Sequence, residues 1–266
     1  IIAQQGNLSR TPQKSAAPLN CDVSRMSDCA PSHCPNVNYK RLNQLANEFT
    51  ELWKRIQSLY LDAAAGFALV RSTVERDQAK IRELLRGTEF DSEAFQDTTS
   101  FTYKKVFAGD FCTSGIHQAK QGEVKARNAP DGDNFVLLGQ LCIVSFYDFW
   151  NDYLRREYVI AKGVLDESAD HEAAQAAMRT HASHDLWGDI RLLRQSIVHN
   201  RGRAVSEITS CKLIQWFKPG DLICLTPEHM RVLLVALLVY HNELFAEQFP
   251  PHYITIPDFK KKPTEG

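Results

Sequence analysis

Asp189-Ile-Arg-Leu-Leu-Arg194-Gln-Ser-Ile-Val-His199-Asn-Arg-Gly202 is the stretch on which the reading of this chain turns. Leu186, Ile190, Leu193 and Ile197 step by four, three and four, which gathers apolar side chains on one side of an α-helix. Arg191, Arg194, Gln195 and His199 fall off that stripe. A helix is therefore predicted over about 186–200, running out at Asn200 and Gly202. Such a helix needs neighbours to cover its apolar side, and the flanking sequence supplies them.

Upstream, Asn134 to Gly163 reads as a long central helix with Phe135, Leu138, Cys142, Phe146, Phe149 and Tyr153 inward and Trp150 widening the apolar surface. Asp152 and Arg156 have the spacing of an i,i+4 pair. Asp166 to Ala182, acidic and alanine-rich, suits a short helix or linker. Downstream, Lys212 to Thr226 places apolar runs around Pro219-Gly220-Asp221, which predicts a hairpin or an extended strap. Thr226-Pro227-Glu228 then opens a last helix, because Thr caps free amides and Pro suits the first helical position. It is expected to reach about Phe249, with Met230, Leu233, Leu234, Leu237, Tyr240, Leu244 and Phe245 inward, before Pro250 and Pro251 stop it.

Further out, Leu42, Leu45, Phe49, Leu52, Ile56, Leu59, Ala63, Phe67, Val70 and Val74 mark a helix over Asn38 to Arg86. At 1.5 Å per residue it would span ~75 Å, so it either bends near Gly66 or projects one end as a coiled coil. Its stripe fits core packing within one bundle, with self-association as the other reading. Residues 87–132 show little period and read as a long connection with one short helix or strand, including the turn Ala129-Pro-Asp-Gly-Asp133. The fold expected is all-α, an up-down bundle of four to five main helices with a short hairpin or strap before the last. It occupies residues 37–250, between an N-terminal tail (1–36) and a C-terminal tail (251–266).

The composition of 266 residues, 44% hydrophobic and 24% charged, suffices for a full core. No apolar run approaches the ~18–20 residues of a membrane helix, and the first residues lack a secretory pattern. Seven scattered cysteines, an odd number, argue against a disulfide framework, so a cytoplasmic location is expected. With 31 basic against 32 acidic residues, any affinity for nucleic acid must be local. Cys21, Cys29, His33 and Cys34 cluster in the tail, but their spacings of eight and five are not the close pairs of zinc sites, and no metal is expected. Catalytic carboxylate pairs, Gly-rich phosphate loops and nucleophile elbows have no counterpart in the sequence.

Chemistry concentrates at Arg194 and His199. An arginine stays cationic at any workable pH, and a histidine with an ordinary pKa of ~6.5 exchanges a proton near neutrality. Arg191, Arg194, Arg201 and Arg203 make a local positive patch suited to phosphate oxygens. Spacing alone is weak evidence, since Arg179 and His184 repeat it. On an ideal helix two side chains five residues apart point about 140° from each other, so a functional pairing needs the helix to loosen at His199 or the arginine to swing round. The structural alternative is a helix-terminal histidine favoured by the dipole, with arginines solvating the surface.

Together with the Lys218-Pro219-Gly220-Asp221 strap and the final helix, this run resembles the HEPN family of prokaryotic helical-bundle proteins. The family signature is an arginine, often followed by a polar residue, with four to six positions before a histidine. Arg194 and His199 match with four, and Gln195 stands where the family more often has Asn, Asp or His. The likeness covers residues 134–249, and the first long helix more loosely. It implies a metal-independent endoribonuclease of toxin, defence or RNA-processing systems, without cofactor, working as a homodimer whose two motifs share one cleft, with a cognate antitoxin or regulatory protein as a further partner. It equally admits an inactive dimerisation or interaction module. On the catalytic reading His199 moves a proton and Arg194 stabilises the phosphate. Gln195, Arg191, Asn200, Arg201 and Arg203 support them.

Overall fold

In a computed structural model of the chain, the described residues are 37–103 and 118–246, all within one compact unit spanning Asn36–Gly266. The first helix, α1 (Tyr39–Leu84), is capped by the Asn38 side chain, which accepts from the Arg41 amide at 3.0 Å. It runs through Gly66 without interruption, ~69 Å long at 1.5 Å per residue. Neither end is bare. Leu42, Leu45, Ala46, Phe49, Ile56 and Tyr60 enter the main core, while Val70 and Val74 join Phe101 and Val124 in a separate small cluster.

That second cluster is built by the segment expected to be mostly connection. It holds α2 (Glu93–Asp97), a two-stranded antiparallel pair β1 (Ser100–Thr102) and β2 (Gln118–Lys120), and α3 (Gln121–Arg127). Polar contacts bind it to α1: Lys125 Nζ reaches Glu93 (2.6 Å), Asp97 (2.7 Å) and Gln78 Oε1 (3.0 Å), and Gln78 in turn donates to Asp97.

The central rod begins as α4 (Asp133–Phe149), passes through one π turn at Trp150–Leu154, and continues as α5 (Arg155–Ala161). The cause is legible in its apolar positions. Leu138, Cys142, Phe146, Trp150, Leu154 and Tyr158 are buried at intervals of four, and each such step drifts about 40° around an α-helix. A wider turn cancels the drift. Phe149 and Tyr153, expected inward, are consequently only half-buried. The shift also separates the expected Asp152/Arg156 pair: Arg156 donates to the Glu167 carbonyl instead, and Asp152 accepts from Asn151.

Next come α6 (His171–His181), capped by Asp170, and α7 (Asp185–His199), whose amino end is capped by His184 Nδ1 accepting from the Leu186 amide. A 3-10 turn (Ser206–Ser210) and an irregular strap lead to α8 (Pro227–Leu244). Between hairpin and strap, the structure takes the strap. Its Lys218–Asp221 turn closes on itself and a single bridge joins Arg203 to Leu222. Thr226 and His229 form a reciprocal cap on α8, which ends at Leu244 rather than near Phe249 because Phe245 leaves the helix and buries against Tyr158 and His241. Trp150 and Trp187 stack at 4.8 Å and 7°, with Tyr240 edge-on to both, locking the central rod, α7 and α8 together. The fold is an all-α helical bundle. Cys21, Cys29, His33 and Cys34, with both tails, lie outside the described residues.

Candidate active site

α7 is held in place mainly by a residue whose role the sequence hides. Asp189 is 2% exposed, and its carboxylate accepts three backbone amides of the strap, from Lys212 (3.0 Å), Leu213 (2.7 Å) and Ile214 (2.8 Å). Leu186, Ile190 and Leu193 bury as expected, Ile197 only partly, and Trp187, Leu192 and Ser196 join them. Ser196 accepts from the Val205 amide at 3.1 Å, tying the helix to the chain that follows it.

The carboxyl end of α7 is a Schellman-type stop, the Gly202 amide donating back to the Ile197 carbonyl at 3.2 Å. Arg201 occupies the left-handed position with φ 53°, where glycine is usual, and Gly202 follows at φ 75°. A Cβ on Gly202 would approach Gln140 Nε2 to 2.8 Å, so this turn nests directly on α4. Asn200 Nδ2 donates to the Arg203 carbonyl (2.8 Å), and Arg203 Nη1 to the Gly220 carbonyl (3.1 Å). Asn200 and Arg203 therefore first brace the loop against the strap.

Arg194 and His199 come together. The helix stays intact to His199, and the long arginine side chain swings round so that Nη1 lies 3.3 Å from His199 Nε2. Arginine has only donors, so in this hydrogen bond Nε2 is the unprotonated acceptor and Nδ1 carries the proton. His199 is exposed. The guanidinium is steered from α4: Nε, sealed from solvent, lies 3.4 Å from Asp148 Oδ1, an ion-pair contact lacking hydrogen-bond alignment, and the group sits 6.0 Å from the centre of the Tyr147 ring. Burial raises the Tyr147 pKa, opposed by Arg191, Arg155 and Arg194 around it. Gln195 is half-buried one turn before His199, while Arg191 and Arg201 are exposed.

Asp148 and Tyr147 were not foreseen because their partner lies some 46 residues away, beyond any local spacing. The competing pair separates: Arg179 donates to Gln175 within α6, whereas His184 caps α7. No group of three or more His, Cys, Asp or Glu able to hold a metal ion occurs among the described residues, and no helix among them is long and apolar enough to cross a membrane. No family model, curated protein or solved structure matches this chain.

Proposed function

We propose that this chain is a metal-independent endoribonuclease of HEPN type, acting in the cytoplasm as a homodimer. The observation that carries the reading is the exposed Arg194–His199 contact at 3.3 Å, which an ideal helix would not make without a steered side chain. His199 Nε2 takes the proton of a ribose 2′-hydroxyl. The 2′-oxygen attacks phosphorus, the bond to the 5′-oxygen breaks, and the leaving oxygen takes a proton from water while the protonated His199 returns its own to solvent, giving 2′,3′-cyclic phosphate and 5′-hydroxyl ends. Arg194 exchanges its hold on Nε2 for the phosphate oxygens and stabilises the charge they gain in the transition state. Asp148 acts as a positioning residue.

Leu137, Leu141 and Asp148 share one face of α4 by their spacing of four and seven, and Val198 lies on α7 between Arg194 and the terminal turn. These three apolar side chains are 59%, 55% and 46% exposed, and a second copy seated on them would bring two motifs together. The test is incubation of mixed RNA in chelator with wild type and His199→Ala. Cleavage by wild type alone, with cyclic-phosphate ends and DNA spared, supports the nuclease. Silence from both assigns the chain to the alternative, a dimerisation or interaction module of antitoxin or scaffold type.

A further inference from the structure

The π turn at Trp150–Leu154 does more than restore register. Wide turns of this kind recur at functional sites, and this one faces the first turn of α7 across a cleft of about 150 Å³. Its walls include Tyr147, Asn151, Arg155 and Arg191, over Trp150 and Trp187. The two tryptophans are 2% and 3% exposed and already stacked on each other, so no base can use them as a platform. The cleft is open to solvent on one side and has room for a phosphate group.

Charge makes the cleft distinctive. Arg155 is pinned at the carboxyl end of α6, donating through Nε to the Ala182 carbonyl (2.9 Å) and through Nη2 to the Met178 carbonyl (3.1 Å). Those carbonyls carry only the partial charge of a helix end. Burial lowers its pKa, and no carboxylate pairs with it among the described residues. Arg191, exposed across the cleft, likewise forms no ion pair among the described residues, whose nearby carboxylates Asp148 and Asp185 pair with Arg194 and, at 2.7 Å, with Lys212. Asp152 is engaged with the Asn151 amide. His184 stands at the rim, its Nδ1 occupied by the Leu186 amide and its Nε2 3.9 Å from Glu243. A half-buried guanidinium without a counter-ion is costly, and a second one facing the same space makes an anion the complementary occupant.

We propose that this cleft is a phosphate-binding subsite formed by Arg155 and Arg191, and that it takes the RNA phosphate next to the scissile one. Arg191 precedes Arg194 by about one helical turn, ~5 Å along the axis, and Tyr147 touches both places. The anion site stands on its own geometry. Its assignment to RNA rests on the function proposed above.

The experiment uses the full chain. Inorganic phosphate is titrated by calorimetry and by tryptophan fluorescence, and a 2′-O-methyl RNA oligonucleotide, which cannot be cleaved, by anisotropy across a salt series. Wild type is compared with Arg191→Gln, with Arg155→Gln, and with Arg82→Gln as an exposed control in the last turn of α1, outside the cleft. Arg191→Gln is expected to weaken both ligands about fivefold or more and to lower the salt slope for the oligonucleotide by about one, with Arg82→Gln unchanged. Because Arg155 also holds α6, Arg191→Gln carries the conclusion if Arg155→Gln unfolds. Weakened phosphate binding with unchanged oligonucleotide binding overturns the RNA assignment in favour of a free-phosphate site. Equal binding by wild type and Arg191→Gln overturns the site itself. A wild type that binds phosphate here yet cleaves no RNA sinks the nuclease and leaves the anion site standing.

Discussion

At the scale of single residues, the site is one guanidinium under three constraints: Asp148 at Nε, the Tyr147 ring beneath, and His199 at Nη1. The two contacts fall on separate nitrogens of one rigid plane, Nε and Nη1, a spacing that the single nitrogen of an ammonium does not reproduce. Arg194→Lys should therefore lower RNA cleavage by on the order of 10²–10³-fold, nearly as far as Arg194→Ala, with an unchanged circular dichroism spectrum. Asp148→Asn should cost on the order of tenfold and appear mainly in kcat, because it loosens aim rather than binding. An Asp148→Asn enzyme at full rate would remove Asp148 from the mechanism. The arginine and histidine were legible as a motif. Their meeting was not, because it depends on a carboxylate from another helix that periodicity reads as part of a solvated face.

At the scale of elements, long repeats were readable and short or irregular ones were not. The stripes of α1, α7 and α8 each offer several turns in which apolar positions recur, and all three helices form, α8 stopping short at Leu244. α2 and α3, of 5 and 7 residues, and strands of 3 residues contain too few repeats to show a period. The π turn inserts a change of register that a fixed 100° step cannot anticipate, which is why Phe149 and Tyr153 pack at the margin of the core, half-buried, rather than inside it. Asp189 was invisible for a different reason: an acid inside a helix reads as surface until the strap amides that it accepts are seen. Asp189→Ala leaves three amides without their acceptor and should cost about 3–5 kcal/mol, measured as a shift of the urea midpoint. Asp189→Asn, still able to accept, should lose less. Equal, small losses would mean that the strap is held elsewhere.

At the scale of the whole molecule, acid and association are the informative perturbations. Burial lowers the pKa of His241, which lies 3.0 Å from the Ala46 carbonyl and stacks on Phe49, and it lowers that of His229 as well. The unfolded chain then binds more protons than the folded one between the ordinary histidine value of ~6.5 and the lowered folded values. Stability from these groups is complete above that window and falls as pH drops through it. The urea midpoint should decline from pH 7 to pH 5, and His241→Phe should make the decline shallower. Leu141→Asp, on the exposed face beside Asp148, should turn a dimer into a monomer by light scattering and abolish cleavage together; a dimer that persists would place the seam on another surface. Finally, α1 serves two cores of very different size. Among the described residues the far cluster buries the apolar side chains Val70, Val74, Phe101 and Val124, far fewer than the main core. If the far third of that rod opens as a unit of its own, the amides over Val70–Leu84 should exchange with deuterium well before those of Leu42–Tyr60, while the half carrying the Arg194–His199 pair stays native; equal protection along the rod would make it one cooperative unit.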